Sequence, residues 1–266
     1  PMGMENGSPI EGDLRNLKYF YAKGIRYVTL AHSKSNHISD SSYDPDRKWN
    51  GLSPFGFEVV AEMNRLGIMV DVSHLTDSAA YDVLQCTQAP VIASHSSCRH
   101  FTPGWERNIS DELIRALAKN GGIVSINFGS EFLDSTSQRR DRLISAAIAK
   151  YRDEHASESS DSAVAAFEKS FRESHPFVYA DVKDVVAHID YVVGLVGVDH
   201  VGIGSDFDGL GDSLPTGLKD VSQYPNLIYE LLKSGYSETD IKKICGENLL
   251  HVWAQVESVA RRLQHN

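Results

Sequence analysis

The chain has 266 residues, 41% hydrophobic and 23% charged, which suits one large α/β domain or two small ones and is neither disordered nor fibrous in character. Its formal net charge of -10 argues against a nucleic-acid partner, because phosphate binding needs a concentrated basic face. No stretch approaches a membrane span, and three cysteines without CxxC spacing indicate neither a disulfide framework nor a thiolate metal site, so Cys86, Cys98 and Cys245 are expected as buried thiols.

Short β-rich runs recur along the chain, each followed by a helical pattern, the signature of βα units around a parallel sheet. Met2 to Glu5 reads as a first short strand and Asp13 to Lys23 as the helix after it. Tyr27 to Ala31 is the next strand, and Pro54 to Leu66 its helix, with Ser53 as N-cap and Pro54 at the first helical position. Ile68 to Val72 leads to a helix over Asp77 to Leu84, Val91 to Ser94 to one over Asp111 to Lys119, and Ile123 to Phe128 eventually to one over Val182 to Val196. Near-continuous apolar character suits strands covered on both faces. Between these last two lies Asp134 to Pro176, rich in Ala, Ser and alternating charge where a βα loop should be short, and expected as a helical insertion. A solvated helix pair and a lid over a site are both open readings of it. Val201 to Gly204 is the last strand, and a helical tail follows over Pro225 to Lys233, Thr239 to Ile244 and Asn248 to Leu263, with Gly235 as a stop signal and Ser237-Glu238 as a start.

Polar residues stand just past several strands: His32 in TLAHS, His74 in DVSHL, His95 in IASHS and Asp206 in GSDFDG. Any one of these histidines alone reads as a satisfied structural residue. Parallel strands bring such ends together, at the edge where barrels and open sheets build their sites, and three imidazoles with a carboxylate suit zinc in a hydrolytic centre. Asp71 is expected on the opposite face from His74, if the strand runs regularly, and is left outside the set. Glu5 reads by pattern as a solvated terminal residue. Arg107 of WERN reads equally as a surface ion-pair partner or as a fork for a substrate carboxylate. GIGSDFDG lacks the spacing of both a phosphate loop and a calcium loop.

Five stretches together, GLSPFGFEVVAEMNRLGIMVDVSH, APVIASHSS, RNISDELI, VGIGSDFDG and YPNLIYELLKSGYSETDIKKICGENLLHVW, resemble the membrane dipeptidase family of renal dipeptidase-like zinc metallopeptidases. The resemblance implies a (β/α)₈ TIM-type barrel of the amidohydrolase kind and two zinc ions sharing a bridging glutamate and a bridging water or hydroxide. It implies dipeptides as substrates, with tolerance of a D-residue at the second position. By motif, Glu5 matches the bridging glutamate, and His74 and His95 the histidines of the second metal. His32 matches the residue that supports the tetrahedral intermediate, Arg107 the arginine that holds the free carboxylate of the dipeptide, and Asp206 the proton-transfer aspartate. The His-x-Asp pair that the family places on its first strand has no counterpart upstream of Glu5, and six strands stand where a closed barrel needs eight. The expectation is therefore a single metallopeptidase domain over 1–266 that lacks its first strands. No signal peptide opens the sequence, and the compartment, cytoplasmic or periplasmic, is left open with the upstream region. A non-catalytic metal-binding fragment and another amidohydrolase-type hydrolase are the rival readings, and a homodimer is left open.

Overall fold

The computed structural model describes residues 1–155 and 160–265; positions 156–159 of the expected 134–176 insertion lie outside the described residues. Six strands form one sheet, β1 (Met2–Glu5), β2 (Ile25–Thr29), β3 (Met69–Asp71), β4 (Ile92–Ala93), β5 (Ile123–Ile126) and β6 (Val201–Ile203), each beside its neighbour in sequence and every pairing parallel. The fold is thus α/β with the consecutive parallel order of a TIM-type barrel. Helices α1 (Arg15–Ala22), α2 (Pro54–Leu66), α3 (Asp77–Cys86), α4 (Asp111–Lys119), α5 (Ser130–Leu133), α6 (Ser135–Glu154), α7 (Asp161–Ser174) and α8 (Val182–Val196) fall between the strands, and α9 (Tyr224–Lys233), α10 (Glu238–Lys242) and α11 (Asn248–His265) follow the last.

Local chemistry fixes these ends. Ser53, Thr76 and Ser110 accept backbone N–H bonds at the starts of α2, α3 and α4, and Asp181 and Ser237 close capping boxes on α8 and α10. Several elements are shorter than the sequence pattern suggests, for the same kind of reason. The Asp13 carboxylate accepts from Arg15 N, so α1 begins at Arg15. Strand β4 keeps only Ile92 and Ala93 because Val91 N donates to Asn120 Oδ1 and Ser94 N to Asp71 Oδ1, both at 2.8 Å. The helix expected to reach Ile244 stops at Lys242, then continues as a wide turn through Lys243–Glu247 in which Gly246 leaves the helical region.

The main core lies between the sheet and its helices and includes Val28, Val70, Ala93, Val124 and Val201. A smaller cluster, Met69, Ile92 and Ile123 with Val252 and Val256, seats α11 against the inside of the sheet, and Leu249 of that helix borders a lumen of about 360 Å³ lined by Tyr27, Thr29, Ser94, Ser125 and Ile203. Helices α6 and α7 bury few residues and hold to each other through stacked rings, Tyr151 on Phe167 at 4.2 Å. Of the three thiols expected inside, Cys98 is buried, Cys86 half-buried and Cys245 exposed, since Cys245 sits in the turn ahead of α11 rather than in a packed face. Among the described residues no helix is long and apolar enough to cross a membrane.

Candidate active site

The six expected residues gather at the C-terminal edge of the sheet, and the loops place them there. Glu5 ends β1; Asn6 turns the chain immediately with φ +79. His74 and Asp206 themselves adopt positive φ, +69 and +57, a backbone state uncommon for residues other than glycine and concentrated at functional positions. His32 rides on a long connection between β2 and α2. That connection is knitted by Asp40, which is fully buried and accepts from Trp49 N and Gly51 N, and by Asn36, whose side chain spans Leu30 O, Ile38 N and Ser39 N.

Glu5 Oε1 lies 3.0 Å from His74 Nε2 and 3.0 Å from His95 Nε2, and the two imidazole nitrogens are 2.9 Å apart. His32 Nε2 is 3.7 Å from the same carboxylate oxygen, and its ring lies 4.4 Å from that of His74. Glu5, His32 and His74 each offer a ligand atom within 4.8 Å of one another. A ring N–H at either near histidine would hold the Glu5 carboxylate far below its usual range. At His74, however, burial first and the Arg107 guanidinium next push the ring down to about 2, so it is neutral. Arg107 Nη2, which can only donate, stands 3.2 Å from His74 Nε2, so that nitrogen presents its lone pair. A carboxylate oxygen and a lone pair at 3.0 Å, with a second imidazole beside them, form a donor set that suits a cation.

Arg107 is 3% exposed, anchored through Nη2 to His95 O at 3.1 Å and through Nη1 to Ser96 Oγ at 3.3 Å. Its Nε, buried, has no hydrogen-bond partner. Phe132 and Tyr43 rings flank the guanidinium at 5.2 and 6.0 Å. Asp206 accepts from Asn127 Nδ2 at 2.8 Å. Glu5, His32, His74, Arg107 and Asp206 line one cleft of about 600 Å³, completed by Tyr43, Phe132 and Asp208; His95 with Glu5 and Asp206 also borders the lumen behind it.

Asp71 corrects the strand-parity expectation. Strand β3 ends at Asp71 and the chain turns before His74, so alternation does not carry from one to the other. The Asp71 carboxylate, fully buried, pairs with Thr29 across the register and accepts from Ser94 Oγ at 2.6 Å, while Ser94 Oγ lies 2.6 Å from His95 Nδ1. Ser94, Asn127 and Tyr43 also escaped the pattern; only their places at strand ends or in a Gly-poor polar loop could have marked them.

Fold and strand-end cluster together place the chain among the amidohydrolase-type barrels. It belongs to the membrane dipeptidase family, peptidase family M19, whose family model matches residues 1–266. Dipeptidase aclJ of Aspergillus oryzae is 36% identical over 98% of this chain and 52% of its own length. The probable dipeptidase PvdM of Pseudomonas aeruginosa superposes with a TM-score of 0.82 at 31% identity, over 97% of this chain and 69% of that one. A metallo peptidase of Rhodobacter sphaeroides, solved with a phosphinate mimic of the dipeptide L-Ala-D-Ala, superposes at 0.75 with 28% identity, over 96% and 62%. The chain spans about half the length of the curated relatives it matches.

Proposed function

We propose that the protein is a zinc-dependent dipeptidase whose Glu5, His74 and His95 hold metal. The observation that carries the reading is the meeting of these three donors at 2.9 to 3.0 Å, Glu5 and His74 on the wall of the cleft that Arg107 also lines and His95 on the lumen behind it. What a zinc pair supplies, when bound, is a water acidified to near neutrality as nucleophile and a polarised scissile carbonyl. Arg107 takes the C-terminal carboxylate of the substrate, its orphaned Nε serving as one prong of the fork. His32, with its ring open to the cleft beside Glu5, donates to the oxygen that gains charge. Asp206, oriented by Asn127, accepts a proton from the attacking water and returns it to the leaving amine. The phosphinate dipeptide mimic bound by the Rhodobacter relative supports a small peptide with a D-residue at its second position. Residues 1–266 act in this reading as one domain, with 134–176 as an insertion and about 225–263 as a helical tail.

Zinc content and hydrolysis of L-Ala-D-Ala, measured on residues 1–266 and on the longest product of the gene, test the proposal. Zinc uptake with hydrolysis in the longer form supports it. Metal without hydrolysis in both favours a metal-binding scaffold, a rival to which the outer edges of β1 and β6, without a partner strand among the described residues, lend weight.

A further inference from the structure

A metal-binding imidazole must present a lone pair, and something must hold its proton on the other nitrogen. Around His95 the polarity of each hydrogen bond is forced in turn. Asp71 Oδ1 accepts from Ser73 N at 3.1 Å and Ser94 N at 2.8 Å; Oδ2 faces the Thr29 and Ser94 hydroxyls at 2.5 and 2.6 Å. A carboxylate only accepts, so the single hydroxyl proton of Ser94 points at Asp71. Ser94 Oγ then turns a lone pair to His95 Nδ1, 2.6 Å away, and Nδ1 carries the ring proton.

We infer that Asp71, acting through Ser94, is a positioning residue that fixes the His95 tautomer, so that Nε2 faces Glu5 and His74 as a lone-pair donor. The inference deepens the proposed metal site and rests on it for its purpose, although the relay itself is readable without metal. It also predicts an inversion. In Asp71→Asn the amide oxygen stays opposite the two backbone N–H groups, which only donate, and the NH₂ group replaces Oδ2. That group donates to Ser94 Oγ, the hydroxyl proton swings to His95 Nδ1, and the ring proton moves to Nε2.

Nitrogen-15 NMR of the neutral His95 ring in the metal-free full chain, with zinc affinity by competition against a chromophoric chelator, is the experiment. The parent is expected to carry the proton at Nδ1 and Asp71→Asn at Nε2, with zinc bound about ten- to a hundredfold more weakly. Thr29→Val removes the other hydroxyl from the same carboxylate oxygen and leaves the tautomer as in the parent. Should Asp71→Asn fail to fold, Ser94→Ala is expected to show both tautomers and weakened zinc binding. Ser94→Thr, whose added methyl can face the lumen, restores the parent state. An Nδ1 proton unchanged in Asp71→Asn or Ser94→Ala, or an Nε2 proton in the parent, overturns the relay. A parent that takes up no zinc while its tautomer still switches upholds the relay and sinks the metal-site reading.

Discussion

Arg107 is held through both Nη atoms, by His95 O and Ser96 Oγ, so the planar group cannot be replaced by a point charge without losing its geometry. Arg107→Lys is expected to raise the KM for a dipeptide by about ten- to a hundredfold while kcat changes less, the loss of one charge-assisted fork. An unchanged KM in steady-state kinetics would place the substrate carboxylate elsewhere. At Asp206 the backbone is left-handed, a state that asparagine tolerates. Asp206→Asn should therefore melt at the parent temperature in calorimetry and lose about 10² to 10⁴ in kcat. The placement of His32, His74, His95 and Asp206 at one edge was legible because each follows a strand, and Arg107 opens a long motif; Glu5, a solvated terminal residue by pattern, was marked by the family resemblance alone. Asp71 was not, because face alternation predicts side-chain direction only while a strand lasts, and β3 ends at that residue.

Between elements, two contacts hold the cleft in register. Gly204, just past β6, passes so close to the end of β4 that an added Cβ would lie 2.3 Å from Ser94 O and 2.9 Å from His95 Cα. Gly204→Ala is expected to cost about 1 to 3 kcal/mol in denaturant unfolding and to weaken zinc binding, since the backbone carrying His95 must yield. The second contact is His188 of α8, fully buried, which accepts from Cys98 N through Nδ1 and reaches Leu133 O through Nε2. Burial lowers this ring from 6.5 to about 4. As pH falls the unfolded chain therefore takes up the proton first, so the stability is fully present above 6.5 and is lost between 6.5 and about 4. The loss amounts to up to about 3 kcal/mol, and His188→Gln should flatten that part of the profile in chemical denaturation. Neither contact is visible in the sequence, where Gly204 is one glycine among 20 and His188 one histidine among 11. The helices themselves were legible from caps such as Ser53 and Ser237, and the exact limits of helices and strands were not, because side-chain acceptors compete for the terminal N–H groups, Asp13 at α1 and Asn120 at β4.

At the scale of the molecule, repeated βα units made parallel order readable in advance, since consecutive right-handed crossovers set each strand beside the last. The connection between β2 and α2 was not readable in that way. Its fold rests on polar bonds of the buried Asp40 and half-buried Asn36 rather than on periodicity. Strand β1 is exposed at three of its four positions, and the outer edges of β1 and β6 have no partner strand among the described residues. Residues 1–266 produced alone are therefore expected to self-associate, seen as concentration-dependent light scattering; a monodisperse monomer would show that these edges are covered. The strand order also bears on synthesis. A sheet in which every strand lies beside its predecessor can grow at one edge while the ribosome is still adding residues, each new pairing being local to the last. Glu5, His74 and His95 can meet once β4 is in place, whereas Asp206 joins them only with β6. In the proposed reading, a nascent chain halted after β5 would already hold its three metal donors and still lack Asp206, the group that moves protons.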